Sequence, residues 1–196
     1  MTRKGAKQSP WTTEADRYLL ENAGRVPKRE ICRHLRRSGK SVERRAAWHR
    51  ANGRAIELRC FVSRTEFCPA CGCRRSTLGK FGICEVCRRR EQLACIEARI
   101  AELWPLLPQR DRDKYEETEA ERSSRVDPRP KAPAIPAGAS YYREQRIRED
   151  WEIAVERTDI ANLKREIKAA QKRKERIEKK IQMSGGLHIS PDRSDK

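Results

Sequence analysis

Two Cys-x-x-Cys pairs constrain this chain more than anything else in it: Cys68-Pro-Ala-Cys71 and Cys84-Glu-Val-Cys87, twelve residues apart. In each pair the thiols sit three residues apart, so one tight turn aims both at a single ion. Two such turns supply four sulfurs, the donor set of tetrahedral zinc with bonds of about 2.3 Å. Pro69 fixes φ inside the first turn, and Gly72 tolerates the twist as the chain leaves it. Cys73 offers an alternative to Cys71 as ligand, giving a wider first turn. Residues 74–83 are long enough for a hairpin, with Gly79 or Gly82 to turn it. Four thiolates close the coordination sphere and leave no place for water, so the zinc expected here is structural and not catalytic. Disulfides would need an oxidising compartment, and a redox pair would need a βαβ setting, which the sequence lacks.

Composition argues for small modules over one large core. The 196 residues are 38% charged and 36% hydrophobic. Lys and Arg number 46 against 29 acids, a formal net charge of +17, which points to a polyanionic partner and most often to nucleic acid. The first ten residues have no apolar stretch resembling a secretory leader, and no run approaches the roughly 18 apolar residues of a membrane span. With eight cysteines, this predicts a protein of the reducing cytoplasm. Cys32, Cys60 and Cys95 then read as small buried hydrophobes. Catalysis is not expected. The three histidines (His34, His49, His188) form no constellation, no glycine-rich phosphate loop is present, and no acidic cluster suits two metals.

Residues 1–10 read as a disordered basic arm, with Lys4 and Lys7 available to phosphates. Residues 11–53 carry a three-helix pattern. Thr12 or Thr13 caps the first helix, Glu14 and Asp16 suit its first turn, and Gly24 ends it. Pro27 opens the second, where Ile31 and Leu35 share a face. Ser41 caps the third, with Val42, Ala46 and His49 facing inward and Gly53 beyond its end. Such a succession makes a helix-turn-helix. Trp11-Thr12-x-Glu14 and Arg37-Ser38-x-x-Ser41-Val42-x-x-Arg45-Ala46 also resemble the Myb/SANT-like family, in the compact form of phage and bacterial regulators. The resemblance covers about residues 11–51. It implies that the third helix enters the major groove of double-stranded DNA. His49 stands where the family usually has leucine, and reads as a buried histidine in preference to a metal ligand.

The nucleic-acid contacts expected on this basis are Lys40, Ser41, Arg44, Arg45, Ala47, Trp48 and Arg50, because arginine grips guanine O6 and N7 with paired hydrogen bonds. Trp48 has a second reading as core. Phosphate contacts fall to Lys4, Lys7, Arg17 and the run Arg88, Arg89, Arg90. Residues 1–54 hold 15 Lys or Arg and 5 Asp or Glu, a net of +10.

Residues 54–90 are expected to hold a strand and the cysteine hairpin, a zinc ribbon. Ile56, Leu58, Cys60 and Val62 alternate, which predicts a strand packing on the hairpin. Over 91–107, Leu93, Ile96, Ile100, Leu103 and Leu107 give a helical seam that Pro105 interrupts. Residues 108–139 read as a charged, proline-rich linker with a short exposed helix around Tyr115. Residues 140–183 form a long basic coiled-coil helix. Its seam is Ile160, Leu163, Ile167, Ala170, Ile177 and Ile181, with Lys174 at one seam position. This seam pairs either with a second copy, a dimer being favoured, or with the 91–107 helix of the same chain. Residues 184–196 read as a disordered tail.

The expected fold is mainly α with a small β element. The expected function is sequence-specific DNA binding as a transcriptional regulator; the resemblance implies a phage or mobile-element type, and with it a bacterial or phage-infected cell and a place at the nucleoid. A packaging or recombination accessory resembling a phage small terminase stays open, as does a zinc-ribbon adaptor that docks on RNA polymerase or another protein.

Overall fold

A computed structural model describes residues 10–120 and 126–184. All but the last residue of the expected basic arm, Lys4 and Lys7 included, and all but the first residue of the expected tail, lie outside the described residues. The fold is mainly α with one small two-stranded sheet. The elements run α1 (Thr13–Asn22), α2 (Lys28–His34), α3 (Gly39–Ala51), β1 (Glu66–Phe67), β2 (Arg74–Arg75), α4 (Glu85–Leu103), a 3-10 turn (Trp104–Leu106), α5 (Gln109–Ala120) and α6 (Tyr141–Met183). Among the described residues no helix is long and apolar enough to cross a membrane. The chain divides into two compact units, each assembled from two stretches: Met1–Arg64 with Lys131–Glu152, and Thr65–Pro130 with Ile153–Lys196. Modules in simple chain order were expected, and the two-stretch composition of each unit replaces them.

In the first unit, Thr12 Oγ1 accepts from the Ala15 amide at 3.2 Å and caps α1. Gly24 follows at φ +80°, and a Cβ there would lie 3.3 Å from the Tyr142 nitrogen, so the position needs glycine for its backbone and for the space. The cap of α3 is Ser38, not Ser41 as expected. Ser38 Oγ accepts from the Ser41 amide at 3.3 Å, and Gly39 and Lys40 already belong to the first turn. Leu19, Ala23, Ile31, Val42, Ala46 and Ile56 form the core.

Residues 55–62 are not the strand that their alternation predicts, and they belong to the first unit while the cysteine hairpin belongs to the second. Any extended segment turns successive side chains to opposite sides, and a strand also needs a partner ladder. Here the segment packs among helices. Ile56 closes the helical core, the Phe61 amide donates to Gly24 O at 2.7 Å, and the Phe61 ring meets Tyr142 edge-on at 6.3 Å. Glu149 is 3% exposed and accepts from Ser63 Oγ (2.9 Å), Arg64 Nε (2.8 Å) and Arg146 Nη1 (2.5 Å).

In the second unit, β1 and β2 pair antiparallel with Glu66 opposite Arg75, and a bridge joins Leu78 to Cys84. Residues 79–83 close the second turn, with the Gly79 amide donating to Ile83 O at 2.8 Å and Gly82 at φ +73°. The seam helix starts earlier than residue 91. Cys84 is the N-cap of α4, so the second cysteine pair lies across its first turn.

The two expected seams meet each other inside the chain. Ile100, Leu103 and Leu107 cluster with Ile177 and Ile181, with Ile96, Trp104, Tyr115 and Ala170 packed around them. Leu163, flanked by Ile160, closes on Cys68, Cys84, Val86 and Cys87. Ile167 is buried as well. The seam is therefore the inside of a helical hairpin. Lys174 escapes burial by bridging to Glu178 at 3.9 Å. The stretch expected as linker is tied down in part. Tyr115 of α5 packs on the seam cluster and Asp111 pairs with Lys180. Asp127 exchanges backbone hydrogen bonds with the Asn162 side chain, both at 2.9 Å, and Arg129 bonds Asp159 at 2.7 Å.

Candidate metal centre and nucleic-acid face

The metal centre belongs to the second unit. Sγ atoms of Cys68, Cys71, Cys84 and Cys87 all lie within 4.8 Å of one another. Cys68 and Cys87 are 3.9 Å apart, as are Cys71 and Cys84. A tetrahedron with metal–sulfur bonds of about 2.3 Å has edges of about 3.8 Å, so the donor set fits a closed tetrathiolate site. Backbone amides support the sulfurs: Cys84 N donates to Cys68 Sγ at 3.3 Å and Cys87 N to Cys84 Sγ at 3.5 Å.

These surroundings split the thiols. The Cys84 amide is the first of several donors that pull Cys68 down to about 6 against its burial. Burial works against ionisation of Cys71, but the Cys73 amide and the Arg75 side chain outweigh it and the net shift is downward. Burial pushes Cys84 and Cys87 up. Cys73 is exposed, stands outside the four-sulfur group and bonds the Cys71 carbonyl at 3.5 Å, so it is Cys71 that joins the cluster.

Arg75 was not legible as part of this centre. It is 6% exposed, and the Cys71 sulfur favours its charge despite burial. The doubled Arg74-Arg75 carries no periodic signal. Only the β1–β2 register turns the second arginine inward while the first lies over Phe67 at 4.3 Å.

The second candidate face is on α3, in the first unit. Lys40, Arg44, Ala47 and Trp48 are exposed, Trp48 at 49%, and Ser41 is half-buried. With Trp11, Ser38 and Arg45, the polar members of this set line an open groove of about 600 Å³. Trp48 is thus a surface residue. Arg45 differs from its expected role: its Nε donates to Asp16 Oδ1 at 2.7 Å, its Nη2 bonds Asp16 Oδ2, and its guanidinium lies 4.0 Å over the Trp48 ring. Asp16 Oδ1 also meets His49 Nε2 at 3.1 Å, with His49 4% exposed, so the histidine is a core residue that joins α3 to α1. The Arg45 bond, opposed by burial, holds the Asp16 carboxyl below the usual range. Asp16 reads from sequence only as a first-turn acid, because its partners lie 29 and 33 residues away.

Among the other expected contacts, Arg50 donates to Ile56 O at 3.2 Å and Arg17 is exposed. Arg88 and Arg89 are engaged within their own helix. Both bond Glu85, at 2.6 Å each, as members of the first turns of α4. Arg90 is exposed. Comparison of the chain with family models, with curated proteins and with solved structures finds no match.

Proposed function

We propose that this protein is a sequence-specific double-stranded DNA-binding protein with a structural zinc ion, acting as a regulator of transcription of phage or mobile-element type. What supports the reading is the exposed face of α3. It carries Lys40, Arg44 and Trp48 beside a groove, and the acids around it are already engaged: Asp16 is bonded to Arg45 and His49, and Glu43 to Lys28 at 2.5 Å. A helix face carrying exposed cations, with an aromatic ring beside them, suits insertion in a major groove. Arg44 and Lys40 are the base-reading candidates. Arg45 acts through Trp48 by holding the ring in place. The zinc, held by Cys68, Cys71, Cys84 and Cys87, contributes folding free energy and no chemistry.

A second reading has its own support. Phe67 and Phe81 on the cysteine hairpin are 61% and 79% exposed, as befits a hairpin that docks on another protein. A packaging accessory would share the DNA-binding face and differ in forming a ring.

The test is selection from a random duplex pool with zinc-loaded protein, followed by sequencing. A defined motif is expected, and its recovery is lost with Arg44→Ala or Trp48→Ala. Recovery of no motif by the parent protein overturns the reading.

A further inference from the structure

The outward side of α6 has no role in that proposal. Lys164, Lys168, Lys172, Arg176 and Lys179 are all exposed and make no ion pair or hydrogen bond among the described residues. Steps of four residues rotate by only about 40° around a helix, so these five cations form one stripe about 22 Å long. Buried Leu163, Ile167, Ile177 and Ile181 lie on the opposite side. Between residues 164 and 179, Glu175 is the one exposed acid.

This arrangement runs against the interest of the helix itself. Like charges four residues apart repel, and residues 164, 168, 172 and 176 make three such pairs in succession. Elsewhere α6 does the opposite. Glu144 pairs with Arg148 and Arg146 with Glu149, both at 2.5 Å, and Lys174 pairs with Glu178. The buried acids Glu156 and Asp159 are bonded to Ser76 and Arg129. Charge is thus neutralised locally over much of α6, whereas along this stripe one acid, Glu175, stands among five cations.

We propose that this stripe is a second binding surface for nucleic acid, one that tracks a phosphodiester backbone without reading sequence. A duplex carries a negative charge every 3.4 Å or so along each strand, so a gently winding row of cations about 22 Å long neutralises several phosphates. Membrane is the poorer partner. A helix lying on a bilayer inserts an apolar face, and the apolar face of α6 is already buried against α4. The inference stands on α6 and is independent of what α3 does.

The experiment uses the full zinc-loaded chain, with all five positions changed together: Lys164→Gln, Lys168→Gln, Lys172→Gln, Arg176→Gln and Lys179→Gln. Binding to a duplex of scrambled sequence is titrated across salt concentrations. Loss of five phosphate contacts lowers the slope of log K against log salt by about 4. A companion variant with arginine at the four lysines retains the parent slope. An unchanged slope in the glutamine variant overturns the proposal, and so does loss of binding in the arginine variant. Phosphatidylserine vesicles serve as the control. Stripe-dependent vesicle binding with an unchanged duplex slope assigns the surface to membrane and also overturns it. If the parent shows no sequence preference yet keeps a stripe-dependent slope, the α3 reading fails and this one stands.

Discussion

Arg44 and Arg45 are neighbours with opposite duties. Arg44 is exposed, whereas Arg45 is bonded to Asp16 across the α1–α3 interface. Arg44→Ala should weaken duplex binding by about 1–3 kcal/mol, the range of a lost bidentate base contact, with the unfolding midpoint unchanged. Arg45→Ala should lower stability first, because it leaves Asp16 without its main partner at a cost of about 1–3 kcal/mol. Parallel binding and urea titrations separate the two. Glu149 supplies a pH test. Burial works against its charge, but Arg64, the amide of the same residue, Ser63 and Arg146 outweigh it and hold the carboxyl at about 2. The folded value is below the unfolded one, so the contribution is complete above the unfolded value of about 4.3 and lost as pH falls towards 2. It amounts to on the order of 3 kcal/mol by linkage. Glu149→Gln should flatten acid unfolding over that window and lower stability at neutral pH.

The cysteine hairpin is too small to fold on burial alone, so its stability should depend on the ion. One zinc per chain is expected from elemental analysis. Removal with a chelator should abolish order in 65–90 by hydrogen exchange. Cys71→Ser should abolish stoichiometric binding, and Cys73→Ser should leave it intact. Among the helices, α6 is the one whose pattern speaks most clearly in sequence, and its partner is what the pattern leaves open. A 3-4 seam reports that an apolar stripe must be covered, and two copies or two helices of one chain satisfy it equally. The structure covers it with α4 and α5. Ile177→Ala should therefore cost about 2–5 kcal/mol as a core cavity.

For the whole molecule, the same packing bears on assembly. With the seam filled from within, the unfolding midpoint should not change with protein concentration, and sedimentation should give one chain. A midpoint that rises with concentration would show that an interface between chains contributes after all.

What the sequence determined by itself is whatever depends on neighbours along the chain. The doubled Cys-x-x-Cys spacing marks the cysteine cluster, Thr12 and Gly24 bound α1, and the repeat of Val42, Ala46 and His49 sets the inner face of α3. Tertiary structure alone decided how distant stretches combine. Ile56 went to a helical core because no strand was there to pair with its segment. Arg45 was drawn from the exposed face of α3 by an aspartate 29 residues away, and Arg75 was turned onto the sulfurs by strand register. The physical reason is one of range. Caps, turns and knuckles are closed by groups a few residues apart, whereas burial and ion pairing join any residues that the packed helices bring together.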